Sequence, residues 1–147
     1  MDLQEIERIA DSLRPQLKDL GREWYRDSII VCLRHGGKCE YCGYDLLSSQ
    51  AICYHFWCID HLLPQVDYPE LKDHLENKVL SCRSCNSIKS DWDPNDGHVI
   101  HYCKGVLTVE QRGELLKRAK EYVKGKNTRL AEKFGEELAL LRKSMEG

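Results

Sequence analysis

The sequence predicts an α+β fold in which helical regions flank a short core stabilised by a metal ion. Amphipathic spacing marks both ends of the chain, and strand-like segments lie between them. Two Cys-x-x-Cys pairs, Cys39/Cys42 and Cys82/Cys85, enclose the strand-like segments. We therefore expect one compact domain built from an N-terminal helical extension at 1–35, a core at 36–92, and a loop with a C-terminal helical extension at 93–147.

Composition restricts the class of protein. The chain has 147 residues, of which 41% are hydrophobic and 31% are charged, as in water-soluble globular proteins. No apolar run approaches the roughly 18 to 20 residues that span a membrane, and the acidic N-terminus does not resemble a signal peptide. We expect a cytoplasmic protein with no membrane partner. The net charge of −2 means that any surface for nucleic acid must be locally basic.

The first 34 residues predict helix with interruptions. Apolar residues recur every three or four positions from Leu3 to Leu20, which places them on one helical face. Pro15 and Gly21 should kink or end the first segment. Gly36 and Gly37 should terminate the next helix, because glycine readily takes the left-handed cap conformation.

The centre of the chain predicts two strands and a helix. Aromatic and β-branched residues at 51–59 favour a strand, which Pro64 ends because proline cannot donate a ladder hydrogen bond. Residues 77–81 predict the second strand, and 83–90 predict a short helix. One further strand is expected at 98–102.

The C-terminal region predicts two helices. Thr108 and Gln111 form a capping-box signature, so a helix should begin there and continue to about residue 124, where Gly125 ends it. Thr128 should cap a last helix. Its apolar residues are Leu130, Ala131, Phe134, Leu138, Leu141 and Met145.

The cysteines indicate metal or redox chemistry, because the cytoplasm keeps thiols reduced. Four thiolates from two Cys-x-x-Cys pairs match a structural Zn²⁺ site, which can contribute about 10 to 16 kcal/mol of apparent binding free energy. Incidentally spaced buried cysteines and an iron–sulfur cluster remain alternatives. Strand alternation argues against a second site near residue 55, so the remaining cysteines are interpreted as buried thiols. These are Cys32, Cys53, Cys58 and Cys103.

Asp60-His61, Asn77 and the Cys-Asn-x-x-Lys run at 85–89 follow in an order that resembles the HNH nuclease family. The resemblance covers about residues 36–92. It implies a ββα-metal core, in which a β-hairpin and a helix surround one metal ion, and a metal-dependent endonuclease or nickase that hydrolyses DNA, with RNA as a further possibility. It also implies that Asn77 holds the loop that carries His61. The last position of the family motif is Asn86 here.

Chemistry supports separate roles for these residues. A neutral imidazole is a suitable base at neutral pH, which favours His61 as the group that activates water. Asp60 and Asn86 offer oxygen atoms, which suit Mg²⁺ or Mn²⁺. Adjacent strand residues face opposite sides, so the strand must end or twist near Asp60 and His61 if both are to reach one ion.

Basic residues near the predicted site are candidates for phosphate contacts: Lys78, Arg83 and Lys89. Farther along, residues 117–133 carry seven basic side chains against two acidic ones. Such contacts supply affinity without reading sequence.

Two other interpretations stay open. The core could be a zinc-stabilised module that binds nucleic acid or protein without catalysis. The flanking helices could also form a homodimer or recruit a partner protein. Retention of Asp60, His61, Asn77 and Asn86 together favours the nuclease.

Overall fold

A two-stranded antiparallel sheet forms the centre of the chain. A computed structural model describes residues 1–17 and 24–147. Strand β1, Trp57–His61, pairs with strand β2, Lys78–Cys82, in a register that sets Trp57 opposite Cys82 and His61 opposite Lys78. The α+β class is confirmed. Because two such strands are marginal alone in water, helices and loops must cover the sheet.

Five α-helices surround this sheet in the described residues. They are α1 (Leu3–Leu13), α2 (Arg26–Arg34), α3 (Gln50–Phe56), α4 (Arg83–Lys89) and α5 (Val109–Met145). Short 3₁₀ segments occupy Arg14–Leu17, Pro69–Leu71 and Leu75–Asn77. None of the helices within these ranges is long and apolar enough to cross a membrane.

The N-terminal helices follow the predicted interruptions. Helix α1 ends just before the 3₁₀ turn that contains Pro15, because proline has no N–H to donate and its ring clashes with the preceding turn. The predicted break at Gly21 and the apolar position Leu20 lie outside the described residues. Gly36 and Gly37 follow α2 with φ of 61° and 73°, so the predicted glycine stop is confirmed.

The strand expected at 51–59 was wrong over most of its length. Residues Gln50–Phe56 form α3, and the strand begins only at Trp57. Ser49 explains the difference, because its side chain accepts a hydrogen bond of 3.1 Å from the amide of Ile52 and caps the helix. This local cap outweighs the β-propensity of the aromatic residues.

The strand expected at 98–102 is a loop. The amide of Ile100 donates to the side-chain oxygen of Asn95 at 2.9 Å, which replaces a ladder hydrogen bond. An isolated bridge between Cys103 and Val106 is the extended pairing that follows.

The two C-terminal helices expected are one helix. Thr108 and Gln111 form the predicted capping box, but α5 continues through Gly125 to Met145. The Thr128 hydroxyl donates to the carbonyl of Lys124 at 3.0 Å and so serves as a mid-helix residue, not a cap. One glycine costs a helix about 1 kcal/mol, which strong helix formers on both sides can offset.

Apolar packing joins the sheet to the helices. Leu62, Leu63 and Leu80 are fully buried beside Leu115 and Ala119 of α5, in one cluster. A second cluster, between α1 and α2, contains buried Ile6, Ala10, Ile29 and Ile30.

A buried ion-pair network ties α5 to the sheet. The Arg112 guanidinium donates to both carboxylate oxygens of Glu40, at 2.9 and 3.1 Å, and to the carbonyl of Lys78. Glu40 also accepts from the amide of Leu80, and Glu76 lies 3.9 Å from Arg112 while pairing with Arg34. The buried Arg112 guanidinium therefore links α5 to β2, to the 3₁₀ segment at 75–77 and, through Glu76, to α2.

Replacing Arg112 with methionine should destabilise the protein by about 3 to 5 kcal/mol, because Glu40 would remain buried without its counter-charge. Chemical denaturation of the zinc-loaded protein would measure the loss. Lys124→Met, an exposed change in the same helix, is the matched control. A double variant with Glu40→Gln should lose less than the sum of the single changes; simple additivity would contradict the pairing.

Candidate functional site

The four cysteines of the two Cys-x-x-Cys pairs converge on one point. The sulfurs of Cys39, Cys42, Cys82 and Cys85 all lie within 4.8 Å of one another. The Cys42 and Cys82 sulfurs are 3.8 Å apart, and a tetrahedron with Zn–S bonds of about 2.3 Å has edges of about 3.8 Å. Hydrogen bonds from the Cys82 and Cys85 thiols lower the pKa of Cys39. The cluster fits a structural zinc site.

The remaining cysteines lie apart from this cluster. Cys32 is buried, and burial raises the pKa of its thiol to about 11, which makes it a poor nucleophile. Cys53 and Cys58 are half-buried, and Cys103 is exposed. The prediction of buried thiols therefore holds for Cys32 and is wrong for Cys103, which lies in a surface turn.

Asp60 lies in the sheet with its carboxylate largely enclosed. The Tyr41 hydroxyl donates to Asp60 Oδ2 at 2.5 Å, and the Lys89 ammonium lies 3.3 Å from the same oxygen. Burial raises the pKa of Asp60, although the Lys89 charge and the Tyr41 hydrogen bond oppose that rise. Both contacts engage Oδ2, so the carboxylate is held in one orientation.

His61 is the last residue of β1 and pairs with Lys78, so the strand includes both Asp60 and His61 and ends only after them. Its Nε2 lies 2.9 Å from the carbonyl oxygen of Lys72. A carbonyl only accepts hydrogen bonds, so Nε2 must carry the proton in this contact. In the neutral ring, Nδ1 is then the nitrogen with an available lone pair.

Asn77 is fully buried and connects three parts of the chain. Its Oδ1 accepts from the amide of Leu63 at 2.7 Å, and its Nδ2 donates to the carbonyls of Leu63 and Leu71 at 3.1 and 3.5 Å. Its own carbonyl accepts from the amide of Leu62. These bonds fix the backbone that directly follows His61.

Asn86 lies in α4, directly after Cys85, and faces the same cleft as Asp60 and His61. This cleft, which we call the Asp60 cleft, has a volume of about 350 Å³ and is also lined by Ser87, Ser90 and Asp91. The structure therefore brings together the three residues predicted for chemistry, on β1 and α4.

His61 also lines a second cleft, of about 460 Å³. We call it the basic cleft, because its lining has four basic side chains against the two carboxylates of Asp27 and Asp73: Arg14, Arg26, Lys72 and Lys78. Arg26 is paired with Asp11 at 2.7 Å, and Lys78 is paired with Asp27 at 2.7 Å. His61 thus stands between an oxygen-rich cleft and a basic one.

The three predicted phosphate contacts occupy different environments. Arg83 is exposed on α4, and Lys78 lies half-buried at the edge of the basic cleft. Lys89 is a correction, because its side chain has no exposed surface and its ammonium contacts Asp60 and the carbonyl of His61. A buried ammonium has no free face for DNA; Lys89 supports the site from within.

Two residues near Asp60 were not predicted as site residues, Tyr41 and Asp91. Tyr41 lies between Cys39 and Cys42, and its hydroxyl donates to Asp60, which is 19 residues away in sequence. Asp91 adds a second carboxylate to the Asp60 cleft. Their proximity to Asp60 depends on tertiary structure and not on spacing.

The comparison with family models agrees with this geometry. Residues 39–91 match the family described as HNH endonuclease, so this segment is similar to that family. The matched segment runs from the first cysteine of the cluster to the end of α4 and includes both strands. A search of curated proteins found no match.

Removal of one cluster cysteine should abolish zinc retention and loosen the sheet. Cys82→Ser should reduce bound zinc from about one ion per chain to almost none, since structural zinc binding contributes about 10 to 16 kcal/mol. Elemental analysis of purified protein and near-ultraviolet circular dichroism would measure both effects. Cys103→Ser, an exposed change, should retain its zinc; equal loss in both variants would contradict the assignment.

Proposed function

We propose that the protein is a metal-dependent HNH endonuclease or nickase that hydrolyses phosphodiester bonds in DNA. The observation that carries the proposal is the convergence of Asp60, His61 and Asn86 on one cleft within the segment that matches the HNH family. Hydrolysis of a phosphodiester needs a base for water and a cation for developing charge, and the cleft offers residues for both.

His61 would act as the general base. The hydrogen bond from Nε2 to the Lys72 carbonyl fixes the ring and directs the basic character to Nδ1. The proton of the attacking water would pass to that nitrogen. Asn77 supports this role indirectly, because it holds the backbone at Leu62 and Leu63.

Asp60 and Asn86 would hold a divalent ion. A carboxylate oxygen and an amide oxygen are hard donors, which fit Mg²⁺ or Mn²⁺ better than soft metals. The bound ion would neutralise charge on the phosphate and the leaving oxygen. Tyr41 and Lys89 would orient the Asp60 carboxylate for that contact.

The basic cleft offers a path for the substrate backbone. Phosphates on one side of the scissile bond would meet Lys72 and Arg14, while the Asp60 cleft receives the bond itself. Exposed Arg83 could contact the other side. These contacts carry no base readout, so we expect weak sequence preference and strong dependence on salt.

A binding module without catalysis is the second candidate, and one observation favours it. Asp60 is only 7% exposed and lies 3.3 Å from the Lys89 ammonium, which already compensates its charge. If this ion pair persists in solution, it competes with a divalent cation for the carboxylate. Direct measurement of metal-dependent cleavage separates the two functions.

His61→Ala should reduce nicking of supercoiled plasmid in Mg²⁺ or Mn²⁺ by about 10² to 10⁴-fold, because the general base is lost. Gel electrophoresis of nicked and linear products would follow the rate. His55→Ala is the matched control, since His55 lies exposed on α3 outside both clefts. Equal activity of wild type and His61→Ala would contradict the proposed mechanism. If no form cleaves the plasmid although all of them retain zinc, the result would favour the binding module.

Tyr41→Phe should weaken divalent-metal binding by about 10-fold or more, because the hydrogen bond that orients Asp60 is removed while the ring still packs. Calorimetric titration with Mn²⁺ and the Mg²⁺ dependence of nicking would measure the change, with zinc content checked separately. Tyr102→Phe is the control, as its hydroxyl contacts Glu70 and Gly105, residues that line neither cleft. Unchanged Mn²⁺ affinity in Tyr41→Phe would contradict this orienting role.

A further inference from the structure

The C-terminal half of α5 extends away from the folded domain. The buried residues of this helix are Arg112, Leu115, Ala119 and Val123, all in its first half. Every residue from 127 to 147 is exposed. At 1.5 Å per residue, the exposed part up to Met145 is roughly 28 Å long.

The exposed part carries an apolar heptad pattern. Apolar side chains recur in this part at alternating steps of three and four residues, which is the spacing of the a and d positions in a coiled coil. Four of the large ones are 42% to 78% exposed in the single chain. The a and d positions are Ala131, Phe134, Leu138, Leu141 and Met145.

This segment is poorly stabilised as a solitary helix. Helices of this length are marginal in water, and Gly135 in its centre costs about 1 kcal/mol. Burial of the heptad face against another helix would supply the missing stabilisation, since each buried large apolar side chain contributes about 1.5 to 3 kcal/mol. The stripe therefore requires a partner helix.

Charge identifies that partner as a second copy. With Leu138 at position a, Glu137 occupies position g and Arg142 occupies position e of the next heptad. In a parallel pair of helices, position g of one helix faces position e of the following heptad in the other. Two identical chains would therefore form two Glu137–Arg142 pairs of opposite charge, one on each side of the seam.

We propose that residues 127–145 pair with the same segment of a second copy of this chain in a parallel two-stranded coiled coil. The two HNH domains then lie at the same end of the coil. Because the seam contains few heptads, the dimer forms in a concentration-dependent way. The pairing does not rest on the proposed nuclease function, and its test requires no cleavage.

Sedimentation velocity of the full chain over a concentration series should show conversion of monomer to dimer. Leu138→Asp combined with Leu141→Asp should abolish the dimer, because two charged residues would replace the central seam. Leu140→Asp is the matched control: Leu140 is 66% exposed but lies at position c, outside the seam. Zinc content should be equal in all forms, since the changes lie outside the folded domain.

Charge reversal tests both the partner and the orientation. Glu137→Arg and Arg142→Glu should each raise the dimer Kd by about tenfold, because each homodimer would then contain two like-charged pairs. An equimolar mixture of the two variants should recover wild-type affinity, since both pairs become opposite in charge again. The weakening of each single variant reports the parallel orientation, because an antiparallel pair would already set Glu137 against Glu137 and Arg142 against Arg142 in the wild type.

Three results would overturn the proposal. One is a wild-type chain that stays monomeric at every concentration, which would leave the stripe to another kind of partner. Another is a dimer that survives the Leu138→Asp/Leu141→Asp change or is equally broken by Leu140→Asp. The third is a mixture of charge variants that associates no better than either variant alone.

Discussion

The convergence of four cysteine sulfurs is the constraint on which the remaining structure depends. Two strands of five residues cannot hold a sheet together in water, and the connection between them is long, at residues 62–77. The cluster joins the chain just before α3 to the start of α4, so it encloses both strands. Apolar packing of α5 and the buried Arg112–Glu40 pair then cover one side of the sheet. The helices add stability, while the cluster fixes the position of each segment.

The same cluster reaches the proposed catalytic groups by two routes. Tyr41 lies between Cys39 and Cys42 and contacts Asp60, while Asn86 directly follows Cys85. A displacement of either Cys-x-x-Cys turn would therefore move an oxygen donor or the tyrosine that orients one. If the cysteine cluster were far from the Asp60 cleft, disturbing the cluster would leave the cleft unchanged. Here the cluster and the cleft are built from neighbouring residues. Disturbance of the cysteine cluster should therefore also disturb the groups that we propose for catalysis.

Much of the core could be predicted because its signals are local. Cysteine spacing identified the cluster, and the resemblance of residues 85–89 to the HNH family pointed to Asn86. The strand predicted at residues 51–59 was wrong because a short aromatic run is compatible with strand and with helix until its cap is known. Here Ser49 caps a helix. Lys89 could not be placed, since a lysine on a short helix is usually exposed, and its partner Asp60 is distant in sequence. The helix end predicted at Gly125 was wrong because the residues on both sides of this glycine favour helix.

The continuity of α5 gives the protein a fixed geometry between its two ends. Arg112 holds the first turns of this helix against the sheet, and no break interrupts the backbone as far as Met145. When paired as we propose, the far end would be a rigid spacer and not a flexible tether. Its distance and direction from the cleft are set by residue count, since each residue adds about 1.5 Å and turns the helix by about 100°. Whatever the far end binds is thereby held at a defined distance and angle from His61.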